Sequence, residues 1–148
     1  MKQFYETSDV IVNTLPSNSA TKNYMDEQTF RQMRNDACFV NIGRGDTVDQ
    51  EALYSALLAS DEARSAATAG KKGDLRIGCA SLDVTTPEPL PEDNKLWKLK
   101  NCVITPHVSG ASELYWFRVS DLLAQNFKRV VIDGKGALNA VRGRGEDE

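Results

Sequence analysis

The sequence predicts an α/β fold built on a parallel sheet, and three observations predict it. Four short apolar runs have strand length: Val10-Ile11-Val12, Cys38 to Ile42, Ile77 to Leu82 and Cys102 to Thr105. Segments with helical spacing lie between the first of them, and strand–helix alternation implies parallel pairing with right-handed crossovers. Pro16, Arg44, Asp83 and His107 fall at the carboxyl ends of the runs, where open α/β sheets bind ligands.

Each element has a local reason. Val10 to Val12 is β-branched, and Asn13-Thr14-Leu15-Pro16 ends it before a polar loop to Asn23. Asp26 can cap a helix that carries Phe30 and Met33 on one face. Gly43-Arg44-Gly45 breaks the second strand, and Asp49 can cap a second helix with Leu53, Ala56 and Leu57 at i, i+3, i+4 spacing. Ala59 to Asp74, rich in small and charged residues, reads as an exposed loop. Thr85 to Asp93 carries three prolines and is expected to be irregular. A long helix is expected from about Ser112, with Val119, Leu122, Leu123, Phe127 and Val130 on one stripe and Gly134 and Gly136 beyond its end. The charged tail from Arg142 to Glu148 is expected to fray.

The 148 residues suit one domain. Hydrophobic residues at 41% and charged residues at 26% describe a globular chain rather than a disordered one. The net charge of -3 is spread along the sequence, and no basic stripe points to nucleic acid or a membrane surface. Met1 to Glu6 has no long apolar run of the kind a secretory or membrane segment needs. Cys38, Cys79 and Cys102 are odd in number, form no CxxC pair and have a single histidine to join them. They read as buried structural thiols in a reducing, cytoplasmic compartment, with no metal site.

Four residues could carry chemistry. Arg44 sits between two glycines, which leave its guanidinium unobstructed for a bidentate carboxylate. On position alone it reads slightly more readily as an ordinary surface arginine in a glycine turn. His107 follows a strand end and can exchange a proton near neutral pH, although a single histidine is more often structural. Glu88 lies between Pro87 and Pro89; beside an imidazole it would fix the tautomer, and otherwise it is a solvated loop carboxylate. Asp83 could accept from an amide on a ligand or simply cap its loop.

Together these residues mean more than they do singly. Val40-Asn41-Ile42-Gly43-Arg44-Gly45, then Leu82-Asp83-Val84, Glu88-Pro89-Leu90 and Ile104-Thr105-Pro106-His107, resemble the D-2-hydroxyacid dehydrogenase family in order and spacing. Asp9-Val10-Ile11-Val12 with Leu15-Pro16 and Thr21 is similar to that family's strand and loop beneath the adenosine side of the cofactor. The resemblance runs from about Ser8 to Val141. It implies a partial Rossmann-like sheet, the second half of an NAD-binding domain, spanning residues 1–148. It also implies interconversion of a 2-hydroxy acid and a 2-oxo acid with NAD or NADP, as in glyoxylate/hydroxypyruvate reductases.

By the same resemblance Arg44, Glu88 and His107 form the catalytic set. His107 would protonate the substrate oxygen, Arg44 would hold the substrate carboxylate and carbonyl, and Glu88 would pair with His107. Asp83 would orient the nicotinamide carboxamide. Leu15, Pro16, Thr21, Ile42 and Gly43 would lie along the cofactor, with Arg44 and His107 beside it, and Gly110 would leave room for the nicotinamide ring. Formate dehydrogenases share much of this pattern but carry Gln where this chain has Glu88, so Glu88 favours hydroxyacid chemistry. The implied partners are a small 2-hydroxy or 2-oxo acid and a second copy of the chain. The sequence contains no GxGxxG pyrophosphate loop, and the substrate domain of the family is expected to be absent as well. A non-catalytic, corepressor-like dimeric binding module and an inactive truncated remnant are the alternative readings.

Overall fold

The computed structural model describes residues 1–65 and 74–140. They fall into two compact units, one running to Ser109 and one starting at Gly110. The first unit holds a four-stranded parallel sheet of β1 (Val10–Asn13), β2 (Cys38–Asn41), β3 (Cys79–Leu82) and β4 (Cys102–Ile104) in sequential order. Its helices are α1 (Lys2–Thr7), α2 (Glu27–Gln32) and α3 (Gln50–Ser65). Sequential parallel order with one hand of crossover puts the connecting helices on one face of the sheet.

Burial follows from that arrangement. Ile11, Phe39, Ala80 and Leu82 point into the covered face, whereas Val10, Val12 and Val103 are exposed on the other. Phe30 from α2 meets Phe39 edge-to-face at 5.4 Å, and Leu53, Ala56 and Leu57 of α3 are fully buried beside them. Each fully buried Leu or Phe contributes about 1.5–3 kcal/mol relative to exposure. The two expected caps form. Asp26 accepts from the Thr29 amide at 2.8 Å, and Asp49 accepts from Glu51 and Ala52 at 3.0 Å.

Several boundaries differ from the sequence reading. Helix α3 continues through Ser65, where a loop was expected from Ala59. Its apolar stripe extends to buried Ser60, seven residues after Leu53. Small and charged residues such as Ala59, Asp61 and Ala63 are compatible with a helix, and the first strong breaker is Gly70. The rest of that expected loop, residues 66–73, lies outside the described residues, as do residues 141–148 with the expected frayed tail. Strand β3 starts at Cys79 rather than Ile77. A Cβ on Gly78 would stand 2.5 Å from the Asp36 carbonyl oxygen, so the chain is pressed against the previous loop there. The cysteines are half-buried rather than buried, and α1 was not anticipated.

The second unit contains α4 (Tyr115–Phe127), a π-helical turn at Lys128–Ile132 and Gly134 with φ of 65°. The expected stripe therefore crosses from an α-helix into a wider turn at Val130. Trp116, Phe117, Leu123 and Phe127 are exposed. Among the described residues no helix is long and apolar enough to cross a membrane.

Candidate active site

The turn after β2 is held by buried amides. Asn13 and Asn41 are register partners at the ends of β1 and β2, and both are buried. Asn13 Nδ2 donates to Asn41 Oδ1 at 3.0 Å and to Thr47 Oγ1 at 2.7 Å. Asn41 Nδ2 and Thr47 Oγ1 both donate to the Arg44 carbonyl, at 3.2 and 2.6 Å. The Leu15 amide donates to Asn13 and the Gly43 amide to Asn41, each at 3.2 Å. A low-dielectric interior strengthens such a network when every member is satisfied. The result is a fixed Gly43-Arg44-Gly45 turn, pressed on one side against Leu15 and on the other against Thr85. A Cβ on Gly43 would lie 2.7 Å from the Leu15 oxygen, and one on Gly45 would lie 1.9 Å from the Thr85 oxygen. Arg44 is exposed and donates one Nη1–H to the Gly43 carbonyl at 2.8 Å. Among the described residues no carboxylate pairs with it, so the rest of its fork is available to a ligand.

The loop after β4 is held by Asp83. His107 has φ of 54°, a left-handed conformation that costs a non-glycine residue on the order of 1 kcal/mol. Its amide donates to the Asp83 carbonyl at 3.0 Å. The Asp83 carboxylate accepts from Thr105 Oγ1 at 2.5 Å, Val108 N at 2.9 Å and Ser109 N at 2.8 Å. Burial alone would push this carboxyl up, but the hydrogen bonds from Ser109, Thr105 and Val108 outweigh it and hold the group well below the usual carboxylate range. Asp83 therefore anchors the histidine loop through Thr105, Val108 and both the amide and the side chain of Ser109.

Glu88 and His107 come together from 19 positions apart. Glu88 Oε1 lies 2.8 Å from His107 Nδ1, with both side chains partly exposed. A carboxylate on Nδ1 selects the tautomer with its proton there and turns Nε2 outward. A cleft of about 330 Å³, lined by Glu88, Pro89, Leu90, Trp97 and Ile104 among others, opens beside the pair. Arg44 follows β2 and His107 follows β4, both at the carboxyl edge of the sheet, and these two strands lie two strand spacings, roughly 10 Å, apart.

The remaining candidates are placed as follows. Leu15 is half-buried beside Gly43, Ile42 is exposed, and Pro16 is exposed next to them. Thr21 uses its hydroxyl to close its own loop, donating to the Pro16 carbonyl at 2.6 Å. Gly110 begins the second unit, and a Cβ there would meet nothing within 4 Å. Sequence reasoning missed Asn13, Asn41, Thr47 and Gln50. The signal for the two asparagines was available: a polar residue ends each of two adjacent apolar runs.

The model of the family "D-isomer specific 2-hydroxyacid dehydrogenase, NAD binding domain" matches residues 1–109, the extent of the first unit. The chain belongs to this family. A mouse glyoxylate reductase/hydroxypyruvate reductase is 40% identical over 124 residues, which are 84% of this chain and 33% of the mouse protein. A probable 2-ketogluconate reductase of Dictyostelium discoideum is 41% identical over 135 residues, 91% of this chain and 36% of that one. Among solved structures, a D-isomer specific 2-hydroxyacid dehydrogenase of Xanthobacter autotrophicus in complex with NADPH and MES superposes with a TM-score of 0.75 at 28% identity, covering 95% of this chain and 51% of that one. The chain spans about a third of the length of the curated relatives it matches.

Proposed function

We propose that this chain provides the proton-transfer half of the active site of an NAD- or NADP-dependent 2-hydroxyacid dehydrogenase of the glyoxylate/hydroxypyruvate reductase kind. The observation that carries this reading is the 2.8 Å contact between His107 Nδ1 and Glu88 on the carboxyl edge of the sheet. The residues on that edge suit a nicotinamide cofactor. Leu15 and Ile42 offer apolar contact, Gly43 keeps the backbone low, and Asp83 is the acceptor proposed for the carboxamide. Bound there, the cofactor would supply or accept the hydride.

The protein's own groups do the rest. Arg44 binds the carboxylate of the 2-oxo acid through two N–H groups and polarises the neighbouring carbonyl. His107 donates the Nε2 proton to the carbonyl oxygen, and hydride plus this proton convert the 2-oxo acid into the 2-hydroxy acid. In the reverse direction Nε2 takes the hydroxyl proton back. Glu88 holds the ring throughout and balances its charge when both nitrogens are protonated. A second copy of the chain is the proposed partner, with the apolar side chains on α4 as surface such a contact would cover. Three free thiols fit a reducing, cytoplasmic compartment.

The test is turnover of glyoxylate and hydroxypyruvate, with NADH and with NADPH, by an enzyme completed with a pyrophosphate-binding half and a substrate domain. His107→Gln should lower kcat by about a hundredfold to ten-thousandfold, the range for loss of a general acid. Undiminished turnover would sink the assignment.

A further inference from the structure

Glu88 belongs to an irregular proline-rich loop, yet it meets His107 at hydrogen-bond distance. Something must fix that loop. The backbone around Thr86, two residues before Glu88, is held by one side chain from a distant element. The Thr86 amide donates to Gln50 Oε1 at 3.0 Å, and Gln50 Nε2 donates to the Thr86 carbonyl. Gln50 is the first residue of α3, capped by Asp49. It thus engages both polar groups of one residue, as a neighbouring strand would. Two further contacts act in the same place. Gly45 packs directly on the Thr85 carbonyl, and the Thr85 hydroxyl donates to the Pro87 carbonyl at 3.0 Å.

The geometry points to Gln50 as the positioning residue of the Glu88–His107 pair. This inference rests on the proposed role of that pair. A loop residue with no such partner would sample many φ/ψ combinations, at a cost of about 1–2 kcal/mol for each residue to be fixed. Glu88 would then spend only part of its time on Nδ1. Gln50 touches no reacting atom in this scheme. It keeps the carboxylate in place by holding the backbone beneath it, and it ties the loop to the same helix start that follows the Arg44 turn.

His107 is the sole histidine in the sequence, so its ring N–H gives an unambiguous proton resonance in the full 148-residue chain. Exchange of the Nδ1 proton with water reads the contact with Glu88 directly and needs no turnover. In Gln50→Ala, which removes both bonds to Thr86, this exchange should be about tenfold to a hundredfold faster, the effect of losing two net hydrogen bonds, with the chain still folded. Glu51→Gln, one position away and paired with Lys95, should leave exchange unchanged. If Gln50→Ala fails to fold, Gln50→Glu keeps the acceptor for Thr86 and loses the donor, and an intermediate exchange rate is expected. Parent-like exchange in a folded Gln50 variant overturns the inference and leaves the pair's role intact. Faster exchange alongside full turnover in a completed Glu88→Gln enzyme would instead remove the pair's role and leave Gln50 as its positioner.

Discussion

The two edges of the sheet are built from the same four strands and carry opposite chemistry. At the amino edge stand Cys38, Cys79 and Cys102, the first residues of β2, β3 and β4. Burial and then the neighbouring Cys79 push the Cys38 and Cys102 thiols up to about 11, so these two side chains stay neutral at physiological pH. At the carboxyl edge, the side chains of buried Asn13, Asn41 and Asp83 bond to the turns that follow the strands, and Asn13 also to Asn41. Their hydrogen bonds hold exposed Arg44 and left-handed His107 in place. At the amino edge one buried amide, Asn101, donates to the Leu57 and Gly78 carbonyls, and Arg34 pairs with Asp9 and Asp36 at the surface. The carboxyl edge uses three buried polar side chains to shape exposed loops, the kind of loop on which binding residues are commonly carried.

Substitutions at the carboxyl edge should therefore cost more than substitutions at the amino edge. The largest effect is expected for Gly45→Ala. Its Cβ would fall 1.9 Å from a backbone oxygen, so two loops must part, at about 3 kcal/mol, the upper end for overpacking a rigid site. Denaturant titration would show it, and an unchanged midpoint would mean that the turn and the Thr85 loop are not locked together. Next is Asp83→Asn, which loses the charged acceptor shared by Thr105, Val108 and Ser109 and should cost about 2 kcal/mol. The native carboxyl titrates below its unfolded value, so its contribution is complete above about pH 4 and lost as pH falls through the lower folded value. The difference in stability between parent and Asp83→Asn should shrink on acidification over that window. A constant difference would contradict the anchoring role.

The smallest effect belongs to the amino edge. Native-state alkylation of Cys38 and Cys102 should be slow at neutral pH and climb about tenfold per pH unit as the thiolate fraction grows, continuing toward pH 11. Since the folded thiols hold their protons longer than unfolded ones, any stability they lend is present below the ordinary thiol range and fades as pH rises through 11. A labelling rate that levels off near about pH 9, where free thiols titrate, would show this edge to be more open than its packing implies.

Much of this contrast was legible in the sequence. Strand-length β-branched runs, the Asp26 and Asp49 caps and the helical stripe at Leu53 are local signals, and local signals place elements. Arg44, Glu88 and His107 could be picked out because their order and spacing together resemble a family pattern; singly, each reads at least as well as a structural residue. What the sequence does not display is the set of long-range pairings: Gln50 with Thr86 across 36 positions, or Asn13 with Thr47 across 34. Such contacts depend on sheet register, which a one-dimensional pattern does not specify. The extension of α3 past Ala59 was missed because composition resembling a loop is also acceptable to a helix once Ser60 finds a buried site.

The central claim is that His107 and Glu88 act as one unit, and a double-mutant cycle in the completed enzyme tests it most directly. Glu88→Gln alone should lower kcat for 2-oxo acid reduction, and His107→Gln alone should lower it further. In the double variant, Glu88→Gln should add almost nothing to the His107→Gln loss, as for residues that work together. Losses that simply multiply would show two independent groups and contradict the account.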